Sequence, residues 1–331
     1  MKKIFCVILS VAIAVSLFGF TGTGSAATRT FRLGHQAPED NVVHIAGLKF
    51  AELLEEKSGG RMRVDVFPNG QLGFDFELLQ ALQFGTIDFA SVTNSPVSNF
   101  VPNFGVIDLP YLMHDWSELR VFVQSEPAKR LLAECTDRGL RAFGFYPIGF
   151  RGVTNSIRPI RTPEDLRGLR MRVIESTAFI RTFEDFGTVP TAMSWGEVFT
   201  ALQQGTIDGQ ENHPIAIHSS RVFDVQNYYS LTRHMATFHV LMGSEAVVSA
   251  LPEADQQIIQ EAALETLDYI IDFAMRIDDE LLSDLNDNLG LAVNEVDDIS
   301  AFAALATSAD RWFIETHGDE YVIAIRGLFG R

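Results

Sequence analysis

The sequence ALQFGTIDFA, residues 81–90, returns later in the chain as ALQQGTIDGQ, residues 201–210. A Glu stands four residues before the Ala in both copies, so the shared pattern is E-x-x-x-A-L-Q-x-G-T-I-D. Each copy predicts a helix, then a Gly that ends the helix, then a short strand. The chain therefore contains two similar helix–Gly–strand units, and with 331 residues it is long enough to form two lobes with one unit in each.

Strand and helix patterns alternate around both copies, which predicts α/β lobes with mixed, mostly parallel sheets. Before and within the first copy we predict strands at Thr30–Leu33, Arg61–Phe67 and Thr86–Val92, and helices at His44–Lys57 and Phe76–Phe84. Ahead of the second copy, Ser194 and Glu197 have the spacing of a capping box at a helix start.

A helical pattern from Pro252 to Asn288 is longer than one lobe needs, so we expect it to brace both lobes. A second helical stretch covers Ile299 to Thr316. We expect lobe I to span 28–150, with about 238–278 returning to it, and lobe II to span 151–237, with about 279–331 packing on it. Hinges are expected at the crossings near Arg151 and at His234–His239.

Residues 1–27 have the layout of a secretory signal peptide: Lys2 and Lys3, an apolar run from Phe5 to Phe20, and small residues up to Ala27. We therefore expect cleavage near Ala27 and export to the periplasm. Cys135 is the one cysteine after that point, so no internal disulfide is expected. No later stretch is long and apolar enough to cross a bilayer, so we expect no direct membrane insertion after signal removal.

The formal net charge is −17, and loss of Lys2 and Lys3 makes it −19 (−17 minus 2). Such an acidic chain repels nucleic acid and anionic membrane surfaces, so neither is an expected partner. Against this background, residues 151–181 hold seven arginines. Arg158, Arg161 and Arg167 are expected to be solvated surface residues, but Arg172 lies near the end of an alternating strand and can point into a cleft. A guanidinium grips a carboxylate through two parallel hydrogen bonds, so Arg172 is a candidate anion site.

Open α/β sheets bind ligands beyond the carboxyl ends of their strands. The segments just past the two copies, Ser91–Pro96 and Gly209–Pro214, are small and polar. They predict a cleft formed where the two lobes face each other.

Several motifs resemble the DctP-like substrate-binding proteins of TRAP transporters, in order and from Phe31 to about Phe313. They are FPNGQLG, GVIDLPYL, GFRGVTNSIRPI, DLRGLRMRV and SWGEVFTALQQGTIDGQENHP. The resemblance implies a two-lobed fold like that of periplasmic binding proteins, joined by hinge segments and a long helix. It also implies an extracytoplasmic receptor that passes a small carboxylate to a TRAP-type membrane permease.

The resemblance assigns binding roles to eight residues by their positions in these motifs. It places the carboxylate clamp at Arg172, a second cleft arginine at Arg151 and an amide partner at Asn212. The other five expected contacts with substrate are Glu175, Trp195, Thr93, Asp75 and Gln36.

The ligand itself is less determined than the family. Ile174 stands where the family usually has Pro, and Thr93 stands where sialic-acid binders carry an acidic residue. The many hydroxyl-binding groups favour a sugar acid, either a uronate such as glucuronate or galacturonate, or an aldonate. A C4-dicarboxylate, a keto acid and ectoine remain alternatives.

The two alternative classes of protein are a secreted enzyme and an exported adhesive protein. A secreted enzyme acting on a sugar acid would need catalytic residues, but no nucleotide, zinc-protease or serine-hydrolase motif is present, and Glu175 and Glu211 are not paired by any pattern. We expect no enzyme activity, no cofactor and no metal. An exported adhesive protein would not need two matched polar loops.

Overall fold

A computed structural model describes residues 28–331, and the predicted signal peptide lies outside these residues. Two β-sheets with helices on their faces form two lobes. The predicted two-lobed α/β class is confirmed. Within the described residues, no helix is both long enough and apolar enough to span a membrane.

Five strands form the sheet of the first lobe: β1 Arg29–Gly34, β2 Met62–Phe67, β3 Phe89–Thr93, β4 Leu140–Phe150 and β10 Ala236–Ser244. Six form the sheet of the second: β5 Gly152–Asn155, β6 Arg170–Val173, β7 Val189–Ala192, β8 Gly209–Asn212, β9 Tyr228–Leu231 and β11 Ala292–Glu295. The strand orders are β2-β1-β3-β10-β4 and β11-β9-β5-β8-β6-β7. In both sheets the antiparallel pairs involve strands next to the crossings, β10 with β3 and β4, and β5 with β8 and β9.

Helices surround the two sheets. They are α1 Val42–Lys57, α2 Asp75–Gln83, α3 Asn94–Val97, α4 Trp116–Gln124, α5 Glu126–Glu134, α6 Thr177–Asp185, α7 Trp195–Gln203, α8 Pro214–Ser219, α9 Glu245–Ser249, α10 Glu253–Asp287, α11 Ile299–Leu305, α12 Ser308–His317 and α13 Glu320–Gly327. Short 3-10 helices occupy Pro102–Asp108, Thr136–Arg138, Pro163–Leu166 and Val222–Asp224.

The duplicated pattern forms α2 and α7, each followed by a glycine and a strand. Gly85 and Gly205 have φ of 67° and 66°, the left-handed conformation that ends a helix and favours glycine. The helix predicted after Ser194 is present, but the Ser194 side chain makes no capping hydrogen bond, so the predicted capping box is wrong. The repeat is therefore a structural unit that positions the ends of β3 and β8 at the cleft.

The chain crosses between the sheets at two places. Arg151 separates β4 from β5, and residues 232–235 separate β9 from β10. The long helix α10 packs against α1 and β4 in the first lobe and against α8 and β11 in the second. It thus braces both lobes, as its length predicted.

The C-terminal segment divides between the lobes, which differs from the expected packing of 279–331 on lobe II. Phe302 of α11 lies in the core of the second lobe. Phe313, Tyr321 and Ile325, from α12 and α13, lie in the core of the first lobe. Tyr321 also donates a hydrogen bond of 2.6 Å to Glu134 in α5. The apolar face of α13 finds its partner on lobe I, so this part of the domain boundary is corrected.

Candidate ligand-binding site

A cavity lies between the two lobes, where the ends of β3, β6 and β8 face each other. Six of the eight predicted binding residues line it: Gln36, Thr93, Arg151, Arg172, Trp195 and Asn212. Asp75 and Glu175 are close to this group but do not line the cavity. The strand ends therefore place most of the predicted side chains around one space.

Arg172 is almost fully buried at the end of β6, with 2 % of its surface exposed. Its Nε and Nη2 donate to the backbone oxygen of Met193 at 2.9 and 2.7 Å, which fixes the plane of the guanidinium. Nη1 is buried and has no hydrogen-bond partner. Burial lowers the pKa of Arg172 to about 10, so the side chain keeps its charge at neutral pH. A buried, charged donor without a partner is suited to an anion.

Arg151 is also buried, but its charge is already neutralised. Its Nε and Nη2 donate to the Glu211 carboxylate, and Nη1 donates to Thr237 Oγ1 at 2.9 Å. Burial opposes ionisation of Glu211, but Arg151 and a hydrogen bond from His234 outweigh it and hold the pKa near 2. Arg151 lines the cavity through a guanidinium that is mostly committed to Glu211. It therefore offers an anion less than Arg172 does.

Trp195 and Asn212 complete the wall of the second lobe. The Trp195 ring centroid lies 5.4 Å from Cζ of Arg172, a cation–π contact, and its Nε1 donates to Ser220 Oγ at 3.3 Å. Asn212 is buried at the end of β8, and its Oδ1 accepts from the backbone nitrogen of His213 at 3.0 Å. That bond orients the amide, so Nδ2 is the group that remains for a ligand.

The wall of the first lobe is built from neutral hydrogen-bonding groups. Gln36 Nε2 donates to Asp75 Oδ2 at 3.0 Å and approaches Thr93 Oγ1 at 3.4 Å. His239 Nδ1 lies 3.1 Å from Ser91 Oγ, and burial lowers the pKa of His239 to about 3, so the ring is neutral. This wall can donate to and accept from hydroxyl groups without adding positive charge.

Asp75 stands behind Gln36 and is buried, with 4 % of its surface exposed. Its Oδ1 has no hydrogen-bond partner, and burial raises the pKa of the carboxyl group to about 7. Asp75 therefore binds a proton far more readily than a free Asp does. In this position it orients Gln36 and sets the charge of the wall.

Glu175 follows β6 and is half-buried near the cleft mouth. Burial raises its pKa, and Arg172 opposes that shift. Its backbone oxygen accepts from Asn99 Nδ2 of the first lobe at 3.0 Å. The structure thus places its backbone in a contact between the lobes, and it leaves the predicted hydroxyl-binding role of the side chain a prediction.

Two further residues that line the cavity, His239 and His213, were not predicted from the sequence as binding residues. His213 lies in the polar segment after β8, so its position was a usable signal. His239 lies inside β10, a strand buried at every residue, and such a strand has no alternation from which to infer which side chains face a cleft. Within residues 28–331, no three His, Cys, Asp or Glu side chains come together in a way that could hold a metal ion.

Comparison with known proteins agrees with this geometry. The sequence model of the DctP family, described as bacterial extracellular solute-binding protein, family 7, matches residues 33–315. The 2,3-diketo-L-gulonate-binding periplasmic protein of Escherichia coli is 32% identical over 263 residues, which is 78% of this chain and 80% of that protein.

Two solved structures of TRAP periplasmic solute-binding proteins show the same architecture. One, from a Bordetella species with density assigned to pantoate, is 34% identical with a TM-score of 0.87, covering 90% of this chain and 99% of that one. Another, from Chromohalobacter salexigens with bound D-glucuronate, is 28% identical with a TM-score of 0.87 and the same coverage of both chains.

Proposed function

This chain belongs to the DctP family of bacterial extracellular solute-binding proteins, and from that premise we propose that it is the receptor of a TRAP-type transporter for a sugar acid. Uronates such as glucuronate and galacturonate, and aldonates, are the ligands that fit best. The receptor delivers its ligand to a TRAP-type membrane permease.

One observation carries the proposal: buried Arg172, whose Nη1 has no hydrogen-bond partner, lines a cavity whose opposite wall is rich in hydrogen-bonding groups. A carboxylate pairs with Arg172 and with the amide of Asn212, and hydroxyl groups pair with Gln36 and Thr93. A short diacid would place its second negative charge against the first-lobe wall. There, the ionised form of Asp75 would repel that charge.

The ligands of the relatives support the same chemistry. Diketogulonate, pantoate and D-glucuronate are named for the three compared proteins, and each combines one carboxylate with two or more hydroxyl groups. This shared pattern matches a site with one free cation and one neutral wall. It favours a sugar acid over ectoine.

Titration calorimetry with ligands that lack one end at a time tests the proposal. D-Glucuronate and D-galactonate should bind tightly. D-Glucose, which lacks the carboxylate, should not bind, and propionate, which lacks the hydroxyl groups, should bind far more weakly. Thermal-shift measurements on the same panel should rank the compounds in the same order. Tight binding of succinate with no binding of any sugar acid would overturn the ligand assignment.

The proposal also includes export, cleavage near Ala27 and the absence of enzyme activity. The leader pattern of residues 1–27 and the receptor role of the family support these points. Mass spectrometry of the exported protein should find Thr28 at its N-terminus. Proton NMR of D-glucuronate incubated with the protein should detect no product, and a new product would favour the enzyme alternative.

A further inference from the structure

The helices that carry the two sequence copies meet at the mouth of the cleft. Phe74 directly precedes α2 in the first lobe, and Gly196 is the second residue of α7 in the second. A Cβ atom added to Gly196 would stand 2.4 Å from Cζ of Phe74. Any larger residue at 196 would therefore collide with this ring when the lobes are in contact.

A glycine of the first lobe also lies close to this ring. A Cβ added to Gly70 would stand 3.0 Å from the same Cζ atom, and Gly70 has φ of +66° in the turn after β2. The outer end of the phenyl ring is therefore close to one glycine of each lobe. Because Gly70 already limits the space at that end, close packing opposes a shift of the ring away from an added methyl group.

The contact lies beside the anion site. Trp195, which precedes Gly196, lines the cavity and lies against the Arg172 guanidinium. A change at Gly196 that separates the lobes would therefore open the cavity next to the ligand carboxylate. No charged group is needed for this effect.

We propose that Phe74 and Gly196 form a latch, an apolar contact between the lobes that holds the cleft closed and slows ligand release. Both are positioning residues, since they touch each other across the cleft and do not line the cavity. The proposal rests on the proposed receptor function but not on the identity of the ligand. The latch acts on closure, whatever molecule the cleft encloses.

The test is a double-mutant cycle with a matched control. Gly196→Ala should weaken binding by about tenfold or more, mainly through faster dissociation, because the methyl group collides with Phe74 only when the lobes touch. Phe74→Ala should also speed dissociation. In the Phe74→Ala background, Gly196→Ala should have little further effect, since the ring it would strike is gone. Gly327→Ala, at a helix glycine with open space around it, should change nothing.

Stopped-flow and calorimetry with D-glucuronate, and with succinate as the alternative probe, measure these effects. Ligand-free melting temperatures serve as the folding control, and Gly196→Ala should melt no lower than the wild type because Ala favours a helix. If succinate binds the wild-type protein and D-glucuronate does not, the sugar-acid proposal fails and the cycle is run with succinate. Unchanged dissociation in Gly196→Ala, additive effects in the double mutant, or a large fall in its ligand-free melting temperature would each overturn the latch.

Discussion

The two walls of the cleft differ in charge although each is reached through a copy of the same sequence pattern. The wall after β8 and β6 carries Arg172, a cation with a free donor. The wall of the first lobe carries Gln36 after β1 and Thr93 at the end of β3, with His239 of β10 held neutral by burial. The repeated residues build the scaffold, and the residues that follow the repeat differ and define the ligand. Under the proposed function, the second lobe binds the carboxylate of the ligand and the first lobe binds its hydroxyl groups.

Removing the positive charge of Arg172 should have the largest effect on ligand binding. Arg172→Lys should weaken sugar-acid binding by roughly ten- to a hundredfold, because an ammonium group cannot bond Met193 and a carboxylate with the same planar fork. Arg172→Ala should be worse, since a carboxylate would be buried without its partner. Calorimetry with D-glucuronate measures both.

The matched control is Arg161→Lys, an exposed arginine whose distance to Asp297 is 3.8 Å. It should bind like the wild type. Unchanged affinity in Arg172→Ala would remove Arg172 from the site. A collapsed melting temperature of that variant without ligand would instead give the residue a structural role.

Protonation of Asp75, in the first-lobe wall, should make the stability of the protein depend on pH. Its folded pKa of about 7 is above the value of 3.8 for a free Asp, so the folded state holds a proton that the unfolded state releases. This contribution to stability is complete below about pH 4 and is lost as the pH rises through 7. Asp75→Asn should abolish the part of the pH dependence that is due to Asp75. It should raise the free energy of unfolding at pH 8 by on the order of 2 kcal/mol relative to wild type.

The affinity for the ligand should also depend on the protonation of Asp75. The first-lobe wall gains negative charge as Asp75 ionises, so wild-type affinity for D-glucuronate should fall several-fold from pH 6 to 8.5, and less in Asp75→Asn. Urea unfolding and calorimetry across this range measure both effects. The exposed Asp65→Asn serves as the control. An equal pH dependence in wild type and Asp75→Asn would contradict this role.

The smallest expected effect comes from the ring beside the cation. Trp195→Phe keeps an aromatic face over Arg172 but loses the hydrogen bond to Ser220, so affinity should fall by only about two- to fivefold. Ser220→Ala should have an effect of similar size, measured in the same titration. A loss as large as that of Arg172→Lys would mean that Trp195 does more than cover the guanidinium.

Much of the fold was predictable because short stretches of sequence determine its helices and strand ends. The duplicated pattern, its terminal glycines and the polar segments after it predicted α2, α7 and the strand ends that carry Thr93 and Asn212. The break between α11 and α12 was not predictable. There, Asp185 accepts hydrogen bonds from the backbone nitrogens of Thr307 and Ser308, at 2.9 and 2.8 Å, and only the tertiary structure brings it near.

The same limit applies to the site. Arg172 stood out through its alternating strand, but nothing local indicated that Arg151 is paired with Glu211. That pair depends on the antiparallel register of β5 and β8, in which Val153 is opposite Glu211. A sequence pattern can identify a charged residue, but the partner that neutralises it is set by long-range pairing.

The helix α10 gives the molecule a mechanical property. Its 35 residues include neither Pro nor Gly, so it has no built-in point of bending, and at about 1.5 Å per residue it is roughly 52 Å long. Ile259 to Ala274 anchor one part in the core of the first lobe, and Leu285 anchors the other end in the core of the second. The helix is therefore fixed in both lobes. Rotation of one lobe relative to the other would bend it, so the stiffness of the helix and the contacts across the cleft together set the resting angle between the lobes.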